Sequence, residues 1–204
     1  QYRSRCLILG TSLGGEMKIL LASLSLLAVT SAAFAGFDDQ GKIDKCTKET
    51  HIPNKAIITK GVDGDTVHIK TDVGTFSVRM LGMDTPETHF QGHSQGYWGE
   101  EAAKVMSQLL PLGTEVTRQL GVEGCDMQGR VRAYLVKDGM NRNAEMLKRG
   151  LAVNYCIAPE LATCDEFARY TQNAIDRKLG MFADQTLELP YDFRRRIEGK
   201  PQRS

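Results

Sequence analysis

The sequence predicts a mainly β member of the α+β class, a five-stranded barrel carrying three α-helices. Three observations carry that prediction. Short runs rich in β-branched and apolar residues recur between residues 56 and 136. The pair Asp63-Gly64 separates two of them, and Asp-Gly between such runs is the strongest short-range hairpin signal. Apolar residues at helical spacing mark residues 100–110 and a stretch through Phe167, Tyr170, Ala174 and Ile175.

Taken in order, residues 56–59 and 66–69 flank the Asp63-Gly64 turn, and residues 75–81 follow Gly74 with period-two alternation, so the three predict a meander. Residues 84–96 contain Pro86, Gly92 and Gly96 and predict a loop. Residues 100–110 carry one apolar stripe (Ala102, Val105, Met106, Leu109, Leu110) stopped by Pro111, and predict a helix. Residues 115–120 and 131–136 are two further strands. A short helix over 143–149 ends at Gly150. Thr163-x-x-Glu166 is a capping box that opens a longer helix toward Leu179, closed by Gly180. Five strands with a few helices fit a small, partly open barrel of the OB type.

The envelope of the chain narrows its setting. Met17-Lys18, an apolar run from Ile19 to Val29 and the small-x-small end Ala33-Phe34-Ala35 predict a secretory signal peptide over residues 17–35, cleaved after Ala35. The run is shorter than the roughly twenty residues of a membrane span. An uncleaved amino-terminal anchor is the alternative. Residues 1–16 read as an upstream extension. The 169 residues after Ala35 suffice for one domain, with an arm over 36–54, the domain over 55–183 and a carboxy-terminal arm with a basic tail over 184–204. Loss of Arg3, Arg5, Lys18 and Glu16 with the leader turns a formal charge of +1 into −1, so any attraction to phosphate must be local. The tail residues Arg194, Arg195 and Arg196 read as a solvated terminus, while Phe182 and Pro190-Tyr191-Asp192-Phe193-Arg194 read as packing the carboxy-terminal arm back on the domain. Cys46, Cys125, Cys156 and Cys164 form an even set in an exported chain and predict two disulfides. Of the three pairings, Cys156 with Cys164 and Cys46 with Cys125 is favoured, because the first two flank a short Pro159-containing turn. The expected location is secreted or periplasmic.

The chemistry lies in Asp63-Gly64-Asp65-Thr66, in Arg79 five residues ahead of Asp84-Thr85-Pro86-Glu87, and in Gly129-Arg130. Each piece alone is ordinary turn chemistry. Arg79 is odder, because an arginine in an apolar strand needs a partner for its charge. Carboxylates hold hard divalent cations and arginines clamp phosphate oxygens, so a cleft combining them suits attack on a phosphodiester.

On these pieces, with Gly99-Glu100-Glu101-Ala102 and Asn143 ahead of Gly150-Leu151-Ala152, residues 55–183 resemble the staphylococcal (micrococcal) nuclease, or thermonuclease-like, family. The resemblance implies an OB-fold barrel with three helices and an exported, Ca²⁺-dependent endonuclease that hydrolyses DNA and RNA with a metal-activated water. It implies Asp65, Asp84 and the Thr85 carbonyl as Ca²⁺ ligands, Glu87 as general base, Arg79 and Arg130 as phosphate clamps, and Asp63 as support behind the ligands. No protein partner is implied, and a monomer is expected. A non-catalytic nucleic-acid- or protein-binding module on the same barrel is the alternative; such relatives usually lose the acidic ligands or arginines that are all present here.

The resemblance thins at the substrate grip. Met127 and Gln128 stand where family members commonly carry Lys-Tyr, so Gln128 keeps a hydrogen-bonding contact and Met127 does not. Tyr155 is the one remaining tyrosine in the segment where the family stacks the nucleoside. Tyr97 and Trp98 read as core anchors, and His89 with His93 as loop residues rather than a second metal site.

Overall fold

The protein is described here by a computed structural model covering residues 42–48, 50–158 and 162–201. The expected extension and leader, residues 1–35, lie outside the described residues, as do the start of the arm and residues 202–204.

Strands β1 (Lys55–Gly61), β2 (Thr66–Thr71) and β3 (Gly74–Met80) form the expected antiparallel meander. A three-residue strand β4 (Gly82–Asp84) follows, then helix α1 (Tyr97–Leu109) and strands β5 (Glu115–Cys125), β6 (Val131–Lys137) and β7 (Met140–Asn141). β5 pairs with β1 and β6, and β6 returns to β3 in parallel through Val78–Val131, Arg79–Arg132 and Met80–Ala133. That last pairing closes the five long strands into the expected OB-type barrel. Phe76, Val78 and Met80 of β3 are buried in the core, so the intervening Ser77 and Arg79 face the other way. Ile58, Ile69, Val78 and Leu135 are fully buried, each worth about 1.5–3 kcal/mol relative to exposure.

Helix α2 (Arg142–Lys148) is capped by Asn141, whose side chain accepts from the Asn143 and Ala144 N–H groups. Buried Asn143 donates to the Leu81 carbonyl at 2.9 Å and accepts from Leu135 N–H at 3.1 Å, locking the β3–β4 junction against β6. Strand β8 (Val153–Tyr155) pairs antiparallel with β4, setting Asp84 opposite Val153 and Gly82 opposite Tyr155. Helix α3 (Cys164–Asp176) packs Phe167 and Ala174 inward.

Five expectations are corrected. α1 begins at Tyr97 rather than Glu100, and at that first position Tyr97 is exposed, not a core anchor, whereas Trp98 packs against the core. The capping box of α3 does not form: the Thr163 hydroxyl bonds the hydroxyl of buried Tyr134 at 2.8 Å instead. α3 stops at Asp176 because Lys178 adopts a left-handed φ of 51°. The carboxy-terminal arm contains a fourth helix, α4 (Pro190–Ile197), with Pro190 in its first turn and Phe193 buried. The extra strands β4, β7 and β8 have two or three residues each, too few to show a period.

Both disulfides of the favoured pairing are present, Cys46–Cys125 with Cα atoms 5.6 Å apart and Cys156–Cys164 at 5.9 Å. The first ties the lead-in arm to the end of β5. Buried Arg118 secures the same arm by donating to the carbonyls of Ile52 and Pro53. No described helix is long and apolar enough to cross a membrane.

Candidate active site

The site is built where the β1–β2 turn, β3, β4 and the loop after β4 converge. In the turn, Asp63 Oδ1 accepts from Asp65 N–H at 3.0 Å, a local bond that sets the backbone course into β2. Asp65 then turns inward, accepting from Thr85 N–H and from the Thr66 hydroxyl, both at 3.1 Å. Gly64 lets this turn approach so closely: a Cβ there would sit 2.7 Å from Thr85 Oγ1 and 2.9 Å from Ala102 Cβ. Arg79, opposite Thr66 across the β2–β3 pair, reaches Asp65 and Asp84 together, the latter through Nη2 at 2.7 Å from Oδ1. The partner that the lone strand arginine required is thus two carboxylates.

Glu87 is placed by its backbone. Its N–H donates to Gln95 Oε1 at 3.0 Å and its carbonyl accepts from Gln95 N–H at 2.9 Å. α1 passes beneath at Gly99, where a Cβ would lie 2.5 Å from the Glu87 carbonyl oxygen. Across from it stands a residue that sequence reasoning assigned to a solvated tail. Arg194 of α4 grips Asp84 with two hydrogen bonds, Nη1–Oδ1 at 2.9 Å and Nη2–Oδ2 at 2.7 Å, and reaches Glu87 Oε1 through Nη1 at 2.6 Å. The packing of Pro190–Arg194 back on the domain was legible; what was missed is that Pro190 starts a helix whose inward anchor Phe193 carries Arg194 into the site.

The electrostatics follow from this crowding. Burial pushes the Asp63 carboxyl up to about 7, and the neighbouring Asp65 carboxylate adds to the rise. Burial would raise Asp65 too, but Arg79, the Thr85 amide and the Thr66 hydroxyl outweigh it and hold that group below its ordinary value. Burial raises Glu87 above the usual glutamate range against the opposing bond from Arg194. Burial also works against charge on Arg79 and Arg194; the surrounding carboxylates outweigh it and keep both protonated.

The second half of the site is the turn between β5 and β6. Asp126 organises it, with Oδ1 accepting from Gln128 N–H at 3.0 Å and Arg130 N–H at 2.8 Å, and Oδ2 pairing with Arg130 Nε at 2.7 Å. Arg130 is therefore fixed within its own turn. It meets the acidic corner across a shared cleft of about 1580 Å³, which Asp63, Asp65, Arg79, Glu87, Gln128, Tyr155 and Arg194 also line. Met127 is 99% exposed on its rim. The Tyr155 ring lies 5.8 Å from that of Tyr191 in α4. His89 and His93 are exposed, on a turn where Phe90 and His93 exchange backbone bonds.

The donor set fits a hard divalent cation. One guanidinium spans Asp65 and Asp84, so both carboxylates lie within reach of a single cation, and every side-chain donor there is oxygen. Among the described residues no cluster of three or more His, Cys, Asp or Glu is disposed to hold a metal. Asp65 and Asp84 are thus the carboxylates that could share a cation, with water free to fill the rest of its shell.

Comparison with known proteins places the chain in a family. Residues 77–184 match the family described as staphylococcal nuclease homologue. Endonuclease YhcR of Bacillus subtilis is 31% identical over 157 residues, which cover 72% of this chain and 13% of YhcR. The SPbeta prophage-derived endonuclease YokF of the same organism is 32% identical over 127 residues, 62% of this chain and 43% of YokF. An uncharacterized endonuclease of Haemophilus influenzae is 27% identical over 179 residues, 87% of this chain and 85% of that protein. The chain thus spans under half the length of the two Bacillus relatives.

Proposed function

The chain belongs to the staphylococcal nuclease family, and on that premise we propose that it is an exported, Ca²⁺-dependent endonuclease that hydrolyses phosphodiester bonds of DNA and RNA. The observation that carries this reading is one cleft lined by Asp65, Arg79, Glu87 and Arg130, residues drawn from four separate segments. Asp65, Asp84 and the Thr85 carbonyl are the groups that hold the cation. When bound, it supplies Lewis acidity to the phosphate and lowers the pKa of a water.

The remaining work falls to the chain's own side chains. Glu87 takes the proton of the attacking water, and its raised pKa brings its basicity closer to neutral pH, where a general base works best. Arg130 binds phosphate oxygens with the guanidinium nitrogens that Asp126 leaves over, since the described bond to Asp126 uses only Nε. Arg79 keeps the two acidic ligands together and adds fixed positive charge at the cleft wall, where negative charge grows in the transition state. Gln128 and Tyr155 border the same cleft and contact the nucleotide, one by hydrogen bonding and the other by stacking. The predicted leader and the two disulfides support export to the periplasm or medium.

The test is cleavage of single- and double-stranded DNA and of RNA by the purified, oxidised protein, with Ca²⁺ or with chelator. Calcium-dependent cutting is expected, reduced by about 10²-fold or more in both Glu87→Gln and Arg130→Ala. A folded, oxidised protein that cuts nothing in any divalent ion overturns the reading.

A further inference from the structure

The acidic groups of the cleft are not equally accessible. Asp63, Asp65 and Glu87 line it, whereas Asp84 is wholly buried and does not. Arg194, which itself lines the cleft, lies on both oxygens of the Asp84 carboxylate. Arg79 adds a third bond to Oδ1. A carboxylate offers about four acceptor positions, so little of Asp84 is left for any other partner. We propose that Arg194 and the divalent cation compete for the Asp84 carboxylate, so that α4 is a latch whose release admits the cation. The inference rests on the Ca²⁺ reading given above and goes beyond it, because it assigns a cation-gating role to a segment outside the matched residues 77–184.

The exchange is chemically even-handed. Stripping Arg194 from a buried carboxylate is costly if nothing replaces its charge. A divalent cation replaces it, and does so for the same oxygens. Arg194 also bonds Glu87, so one displacement frees both the ligand and the base. The latch is lightly mounted. α4 has eight residues, too short to be stable alone, and it buries only Pro190 and Phe193. Coupling of this kind is reciprocal: whatever Arg194 takes from cation affinity, the bound cation takes from the docking of Arg194. The protein therefore holds its acidic corner closed and neutralised where calcium is scarce and opens it where calcium is plentiful.

Calorimetric titration of the purified, oxidised chain with Ca²⁺ tests this without reference to cleavage. Arg194→Ala and Arg194→Gln are each expected to tighten Ca²⁺ binding by about tenfold or more. Arg195→Ala removes a neighbouring charge that stacks on Tyr191 and touches neither Asp84 nor Glu87, and is expected to leave the affinity within about threefold because exposed charges are screened. Unchanged or weaker binding in both Arg194 variants overturns the latch while leaving the calcium site standing. Equal tightening in Arg195→Ala reduces the effect to net charge and also overturns it. If wild type and both folded variants bind no Ca²⁺ at all, the calcium reading fails and takes the latch with it.

Discussion

The two ends of the cleft are built on opposite principles. At the acidic corner, Asp65, Arg79, Asp84, Glu87 and Arg194 come from five points of the chain and hold one another through bonds spanning up to 110 residues. At the Asp126–Arg130 turn, one aspartate satisfies its own neighbours within four residues, and the turn leans on the rest of the protein through the Cys46–Cys125 bridge and the bond from Cys46 N–H to the Gly129 carbonyl. The corner is buried and its charges are mutually dependent. The turn is open and self-sufficient. Stability and function are therefore superposed at the corner and separable at the turn, and substitutions should tell them apart.

The largest effect is expected from Asp84→Ala. It leaves the guanidinium groups of Arg79 and Arg194 facing each other without their shared carboxylate, and removing one partner of a buried ion pair costs about 3–5 kcal/mol. Urea unfolding reads this directly, and a loss below about 1 kcal/mol would show that the corner is wet and its charges independent. Gly99→Ala is intermediate. The new methyl group meets the Glu87 carbonyl and must push the loop away, at about 1–3 kcal/mol, with a matching fall in cleavage as Glu87 is displaced. Normal cleavage with reduced stability would separate the loop's packing from its chemistry. Arg130→Ala is the smallest for stability, under about 1 kcal/mol, because its ion pair with Asp126 is half-exposed and local. Set beside the large loss of cleavage expected for the same variant, it is the clearest separation of function from folding. A destabilisation as large as that of Asp84→Ala would break the contrast.

Much of this arrangement is legible in the chain. Asp63-Gly64 marks the β1–β2 connection, where Gly64 is needed for the close approach to Thr85 and Ala102, and the apolar alternation of 75–81 forces Arg79 off the core face toward a partner. The disulfide pairing also follows from the even set of four cysteines and the short separation of Cys156 from Cys164. The helix ends were less legible. Thr163 has two claims on its hydroxyl, the α3 amides and the buried Tyr134 phenol, and only the packed structure decides for the phenol. Tyr191 beside Tyr155 was equally hidden, since the two rings are brought together by the return of α4.

The residue types and local periods by themselves determined the barrel strands, the turn chemistry and the inventory of carboxylates and arginines, because these depend on short-range sterics and on burial of one face. Only the tertiary structure decided which cation sits on which carboxylate. Nothing local distinguishes Arg194 from Arg195 or Arg196, three identical residues in a row. The turn of a short helix anchored by Phe193 sends the first to Asp84 and Glu87 and leaves Arg195 against Tyr191 and Arg196 against Glu188. Direction in a helix changes by about a hundred degrees per residue, so the choice among identical neighbours belongs to packing alone.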